Sequence, residues 1–288
     1  SYPVSGQVKV VIGVDIDWAN INYLAEGNWT SFFDSLSGIV EYEYSLGLDT
    51  GQTEIVDWTS AGLDTSITIG NVSLDEGPTY YTNVRAIDLV GNVSPVISSN
   101  GFGLDQSAPV SGTVIDGFDT DQTWTNSTDS LNASWSGFSY QYSGIDFYEY
   151  SIDSSAGGQG IVAWTNTDTS TEITHDRLNM THGTTYYFSV RATDMVGYVS
   201  EPDTANGITV DTIPPVINLF AEAAEDDPLF QGSDSTVTLY WSALDNLSGI
   251  EHYEYSLGTT AGDTDLIDWT SAGNNHSCLL YTSDAADE

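Results

Sequence analysis

The chain has 288 residues, 40% of them hydrophobic, with 8 Trp, 17 Tyr and 9 Phe, too many apolar aromatics for a solvated polymer. Forty-two acids face four Lys and Arg (Lys9, Arg85, Arg177 and Arg191), a formal net charge of −38. A surface of that sign repels phosphate backbones and anionic lipid, which disfavours nucleic-acid binding and electrostatic membrane binding. No apolar run reaches the ~18 residues of a membrane helix, so no membrane insertion is expected. The opening "SYPVSGQVKV" lacks an initiator Met, a basic leader and an apolar stretch, which reads as a removed signal or an internal fragment.

An internal repeat organises the chain. "SGIVEYEYS" at 37–45 recurs as "SGIDFYEYS" at 143–151 and "SGIEHYEYS" at 248–256. "DWTSAG" at 57–62 recurs as "AWTNTD" at 163–168 and again as "DWTSAG" at 268–273. "TYYTNVRAIDLVGNVS" at 79–94 recurs as "TYYFSVRATDMVGYVS" at 185–200, and Trp29, Trp135 and Trp241 recur 106 residues apart. A period of that length is a domain, not a solenoid unit. The connectors "LDQSAPVSG" (104–112) and "VDTIPPVIN" (210–218) each carry Pro after a polar, acidic step, which suits a short and fairly stiff link. The expected division is 1–108, 109–214 and a shortened third repeat at 215–277.

Within each repeat the hydrophobic period is two. "SLNASW" places Leu131, Ala133 and Trp135 on one face. "DFYEYSI" turns Tyr148, Tyr150 and Ile152 inward and Glu149 outward. "YYFSVRA" turns Tyr186, Phe188, Val190 and Ala192 inward and Arg191 outward, and "TVTLYW" aligns Val237, Leu239 and Trp241. Alternation over short runs between Gly, Asn, Asp and Ser turns predicts half-buried antiparallel strands. Six or seven such strands per hundred residues predict an all-β chain of two-sheet sandwiches, two complete and one truncated.

The segment "LDEGPTYYTNVRAIDLVGNVS" (74–94) closely resembles the strand F region of fibronectin type III domains. Leu74 and Tyr80 fit that pattern in the first repeat, Met180 and Tyr186 in the second. The resemblance implies an immunoglobulin-like sandwich over residues 1–273. It implies that Tyr80 and Tyr186 are tyrosine-corner residues and that Trp29, Trp135 and Trp241 are core tryptophans of strand B. The "DTIPP" connector is common between such modules in secreted bacterial proteins. Strands C and F are neighbours in this fold, so Glu43 should meet Arg85, and Glu149 should meet Arg191, on the outer face. An exposed cross-strand pair of this kind contributes only ~0.2–1 kcal/mol.

Candidate chemistry is sparse. His175, His182, His252 and His276 are scattered and do not recur between repeats, and no nucleophile constellation, zinc spacing or phosphate loop can be assembled. The chain is expected to be no enzyme and to need no cofactor, calcium excepted. Calcium takes hard oxygen ligands. In the fibronectin arrangement Asp15, Asp17 and linker Asp105 are expected near Asp194, and Asp116, Asp119, Asp121 and Asp211 near Asp245. An ion there would stiffen the array as in cadherin-like adhesion repeats; solvated turn acids are the simpler reading. Trp58, Trp164 and Trp269 recur in phase and would serve as a sugar platform if exposed, or as packing if buried. Asn71 and Asn126 begin Asn-x-Ser/Thr triplets, which in a bacterial protein indicate only polar turns.

The third repeat aligns as far as Gly273, and strands E, F and G do not follow in the pattern of the other two. Glu254 is therefore expected without an Arg partner, Tyr253 and Tyr255 without cover, and the repeat poorly stable alone. The final stretch holds the single cysteine, Cys278. One back-translation of 278–288 resembles the end and adapter of a transposon-based sequencing library, so this segment is expected to be read-through, with Cys278 no nucleophile. The function expected is an extracellular or cell-surface spacer or adhesion array of a large bacterial protein. Its partners would be neighbouring repeats, and a surface protein or polysaccharide. The competing reading is a polysaccharide-binding accessory module of a secreted hydrolase.

Overall fold

The computed structural model describes residues 3, 6–10, 16–222 and 236–281. Every regular element among them is a strand. The first repeat contributes β1 (Val8–Lys9), β2 (Trp18–Ala19), β3 (Leu24–Trp29), β4 (Ile39–Gly47), β5 (Val56–Gly62), β6 (Ser66–Gly70), β7 (Thr79–Asp88), β8 (Ile97–Ser98) and β9 (Phe102–Leu104). The second contributes β10 (Thr113–Asp116), β11 (Trp124–Thr125), β12 (Leu131–Ser136), β13 (Ile145–Asp153), β14 (Val162–Asn166), β15 (Glu172–His175), β16 (Thr185–Asp194), β17 (Asp203–Thr204) and β18 (Ile208–Val210). The third contributes β19 (Val216–Ala221), β20 (Thr236–Leu244), β21 (Tyr253–Leu257), β22 (Ile267–Gly273) and β23 (Ser277–Tyr281).

The first two repeats share one topology. A three-stranded sheet, β1-β3-β6 or β10-β12-β15, accompanies a six-stranded sheet, β2-β9-β7-β4-β5 with β8 on β7, or β11-β18-β16-β13-β14 with β17 on β16. The β4–β7 and β13–β16 ladders are antiparallel, and β2 meets β9 and β11 meets β18 in parallel. The third repeat keeps β19-β20-β23 and a two-stranded β21-β22 sheet.

Alternation along the strands builds the cores. Val8, Trp29, Phe32, Tyr42, Val84 and Ala86 form one buried cluster of the first repeat, drawn from both sheets. Val10, Ala25, Leu46, Ile69, Leu74, Tyr80, Phe102 and Leu104 form a second. Trp29 and Trp135 are each 4% exposed, and their rings meet Tyr42 and Tyr148 edge-on at 5.9 Å. The Tyr80 hydroxyl accepts the Asp75 N–H at 2.7 Å and donates to the Asp75 carbonyl, and the Tyr186 hydroxyl accepts the Thr181 N–H at 3.0 Å. Each tyrosine thus fastens the chain that enters its own strand.

The chain forms two compact units. One comprises Ser1–Asp121, Asn132–Ile173 and Tyr187–Asn206; the other comprises Gln122–Leu131, Thr174–Tyr186 and Gly207–Glu288. The first contains the first repeat and the long β13–β16 ladder. The second contains the β11–β18 pair and the third repeat.

One element differs from the sequence expectation. The third repeat does not stop at Ser277: β23 pairs with β20, with Leu239 opposite Cys278 and Val237 opposite Leu280. Alternation in Ser277–Leu280 is the reason. Leu280, 7% exposed, joins Leu239 and Trp241, and Cys278 packs against them, as Ile69 and Ile67 pack in β6. Residues 278–281 of the segment set aside as a tail thus belong to an E-type strand, and 282–288 lie outside the described residues.

Candidate functional site

Two arrangements recur between repeats and stand out from ordinary packing. The first lies where one repeat meets the next. Asp105 follows β9 and is 2% exposed. Its Oδ1 accepts the Ser107 N–H at 3.0 Å, and its Oδ2 accepts the Ser143 N–H, from the second repeat, at 2.9 Å. Asp211 does the same after β18: Oδ1 accepts from Ile213 at 3.0 Å and Oδ2 from Ser248 at 3.1 Å. Each latch lies within one compact unit. The local sequence accounts for both halves. An Asp two residues before a free amide makes an Asx turn, and each latched serine precedes a glycine in left-handed conformation, Gly144 at φ 93° and Gly249 at φ 80°. Hydrogen bonds from the Ser248 side chain and the Ile213 amide hold the Asp211 carboxyl below its ordinary range, against desolvation. Asp245 is likewise held down, by the Leu247 and Gly249 amides, although the neighbouring Asp211 charge works the other way.

The first repeat shows the same loop closed on itself. There Asp34 Oδ1 accepts the Ser37 N–H at 2.8 Å, and the Ser37 hydroxyl donates to Asp88 Oδ2 at 2.8 Å. Asn92 Nδ2 completes Asp88. In the second repeat Tyr198 stands in place of Asn92. Asp194 Oδ1 accepts from the Val196 and Tyr198 amides, while Asp194 Oδ2 and Ser143 Oγ are buried without a partner. Further contacts join the first two repeats. Asn20 Nδ2 donates to the Val196 carbonyl at 3.3 Å, and the Trp18 and Tyr142 rings lie 6.5 Å apart.

The acids named as calcium ligands divide. Asp105 and Asp211 spend both oxygens on amides. Asp17 is exposed and accepts from Asn100 Nδ2. Asp121 accepts from the Asp116 amide and from Asn206 Nδ2, Asp116 is fully buried, and Asp119 is exposed. Asp15 lies outside the described residues. Calcium takes six to eight oxygens, and among the described residues no three acids, histidines or cysteines gather where they would hold a metal. Among the described residues, the donors do not gather into a calcium cage.

The second arrangement is on the outer sheet face. Glu43 stands opposite Arg85 in the β4–β7 ladder, and Glu149 opposite Arg191 in β13–β16. In each pair Nε and Nη2 both donate to Oε2; the lengths are 2.7 Å throughout for Arg85, and 2.8 and 2.7 Å for Arg191. The Arg85 guanidinium also lies 4.1 Å above the Trp58 ring, and that of Arg191 lies 4.4 Å above Trp164. Each cation is clasped between a carboxylate and an indole. Trp58 and Trp164 are consequently half-buried beneath arginine, not open platforms. Trp269 has no such cover and is 62% exposed.

Sequence reading placed the acid and the arginine but missed two elements. One is the indole beneath the cation; its signal was the Trp recurring on the strand beside the glutamate. The other is Ser143 and Ser248 as latch partners; their signal was the Ser-Gly pair at a near-constant distance from the linker Asp. Among the described residues the histidines gather into no cluster: His182 Nδ1 accepts from the Thr212 amide and lies 3.5 Å from Asp211 Oδ1, and His252 lies 3.8 Å from Glu254 on the surface.

The architecture is that of tandem fibronectin type III-like sandwiches. No protein-family model matches the sequence. The chain is 28% identical over 229 residues to Exoglucanase B of Cellulomonas fimi, a match covering 75% of this chain and 19% of that protein. The chain thus spans about a fifth of the curated relative's length. Among solved structures it is similar to the fibronectin(III)-like modules of Clostridium thermocellum CbhA, at 16% identity and TM-score 0.38, covering 71% of this chain and 94% of that one. It is also similar to the FN1–FN3 domains of chicken CNTN1, at 15% identity and TM-score 0.33, covering 97% and 88%.

Proposed function

We propose that the chain is a non-catalytic, extracellular spacer of tandem β-sandwich modules in a secreted or cell-surface bacterial protein. The observation that carries this reading is the repeated latch. At both junctions a linker aspartate is tied to its own connector by one oxygen and to the next repeat's loop by the other. A hydrogen bond to an ionised acceptor contributes about 1.5–3 kcal/mol when buried, enough to bias a short Pro-containing connector toward one geometry. The test is a double electron–electron resonance measurement between spin labels on the first and third repeats. The double variant Asp105→Ala, Asp211→Ala should broaden the distance distribution; an unchanged distribution would remove the basis of the reading.

A second reading follows from the exoglucanase relative and from exposed Trp269: an accessory module that holds a polysaccharide for a hydrolase elsewhere in a longer protein. An exposed indole offers an apolar face to a sugar ring. Retention on insoluble glucan that Trp269→Ala abolishes would favour this reading over the spacer. Silence across a glycan screen would leave the spacer alone.

A further inference from the structure

We propose that His182 makes the second junction sensitive to pH. Neutral, its Nδ1 accepts the Thr212 N–H and braces the connector; protonated, the same nitrogen becomes a donor to Asp211 and releases that amide. The consequence for the array rests on the spacer reading, but the switch itself does not.

The first junction shows the same brace built from a carboxylate. Glu76 Oε1 accepts the Gln106 N–H at 2.6 Å and the Ser107 hydroxyl at 3.0 Å. His182 holds the matching place 106 residues on, and Thr212 holds the place of Gln106. The tyrosine corners aim both side chains. The Tyr80 hydroxyl accepts the Asp75 N–H, and the Tyr186 hydroxyl accepts the Thr181 N–H, each from the residue just before the brace. A glycine in left-handed conformation follows each brace, Gly77 at φ 107° and Gly183 at φ 79°. The Gly183 N–H donates to the Val210 carbonyl at 2.8 Å. The turn that carries His182 is thereby pinned to the end of β18, where the connector starts.

At the second junction Nδ1 faces two groups with opposite demands. The Thr212 nitrogen lies 3.2 Å away and Asp211 Oδ1 lies 3.5 Å away. A lone pair on Nδ1 satisfies the amide and leaves the carboxylate to its own donors, Ile213 and Ser248. A proton on Nδ1 reverses this. It sets a donor against the Thr212 N–H, which loses its acceptor, and it offers Asp211 a charge-assisted bond. One nitrogen cannot serve both. The His182 side chain is 36% exposed, so a proton reaches it from solvent.

The groups that face this nitrogen from the connector and from the next repeat's loop are both acids. Asp211 is in contact with the ring, and Asp245 stands behind it, its carboxyl bearing on the Asp211 charge. Imidazole is the side chain whose ordinary titration falls within about pH 5 to 8, a range in which ordinary carboxylates stay ionised. The two junctions therefore differ in mild acid. The first connector keeps its brace. The second loses one tie and keeps its latch. Mild acid loosens one joint of the array and leaves the other.

The test is amide exchange in the intact chain, followed by NMR between about pH 8 and about pH 5. Thr212 protection, corrected for intrinsic exchange, should fall about two- to tenfold across that range, the loss of one hydrogen bond between neutral groups. Gln106 should show no such step. His182→Glu should give Thr212 the brace that Glu76 gives Gln106 and abolish the step. His182 is partly exposed, so this variant should fold. The proposal is overturned if Thr212 protection is flat across the range. It is equally overturned if the step survives in the His182→Glu chain, which would assign it to another group. Ser248 reports the latch separately, and its amide should stay protected throughout. A Ser248 amide open at both ends of the range would remove the latch from the spacer reading, while Thr212 would still decide the switch.

Discussion

Replacing Asp105 by alanine tests whether the latch is a working interaction. The carboxylate is 2% exposed, and each oxygen accepts one backbone N–H, from Ser107 at 3.0 Å and from Ser143 at 2.9 Å. The Ser143 amide is buried, so alanine leaves it with neither protein acceptor nor water. The lost bond to a charged acceptor amounts to about 1.5–3 kcal/mol. At 1.4 kcal/mol per factor of ten, the Ser143 amide should exchange with solvent deuterium about 10- to 150-fold faster, if local opening governs its protection. Asp105→Asn should fall between, because its amide nitrogen sets a donor against one of the two N–H groups. Ser37 is an internal control: its amide is held by Asp34 within its own loop and should not change. Unaltered exchange at Ser143 in a folded Asp105→Ala chain would refute the latch.

Four further outcomes are expected. Arg191→Ala should destabilise the second repeat by about 1–2 kcal/mol in urea titration, combining an exposed pair and a cation–π contact; a Glu149/Arg191 double-mutant cycle with no coupling would contradict the clasp. The Asp211 carboxyl is depressed when folded, so its contribution is complete above the ordinary aspartate value of 3.8 and fades as pH falls through the lower folded value. Ser248 amide protection followed by NMR should therefore persist at pH 4 to 5 and be lost only in stronger acid. Limited proteolysis should remove the third repeat first and stop at a two-repeat core, and equal protection of all three would contradict the open edge. Millimolar calcium should leave the melting temperature unchanged; a rise would favour the calcium-stiffened reading of the junctions.

The ladders were legible because alternation fixes a strand's face, and two strands with outward charge of opposite sign fix a register. Glu43 and Arg85, like Glu149 and Arg191, are direct neighbours across their ladders. The latch was not legible. A carboxylate bonded to a backbone amide leaves no side-chain signature on the donor, and Ser143 reads as an ordinary turn serine. Asp105 and Asp211 were visible only as acids near a junction, which suggested an ion when the structure sets an N–H there. The tryptophans of β5 and β14 were ambiguous for a related reason: periodicity says which face an indole occupies, not what lies on top of it. In β23 the apolar spacing of Cys278 and Leu280 was masked by dissimilarity of residue type to Ile67 and Ile69, although volume and phase suffice for a strand.

The edge of β21 that no strand among the described residues pairs also bears on how the chain behaves in concentrated solution. A bare strand edge invites a second molecule, yet each copy carries a formal charge of −38, and Glu254 sits on the edge itself. Long-range repulsion thus serves as the guard that a covering strand provides elsewhere. That guard is tuned by the medium: the screening length contracts from about 30 Å at 0.01 M salt to about 3 Å at 1 M. Dilute buffer should keep the molecules apart, and brine should let their edges meet. Ionic strength then acts as an assembly variable for this chain.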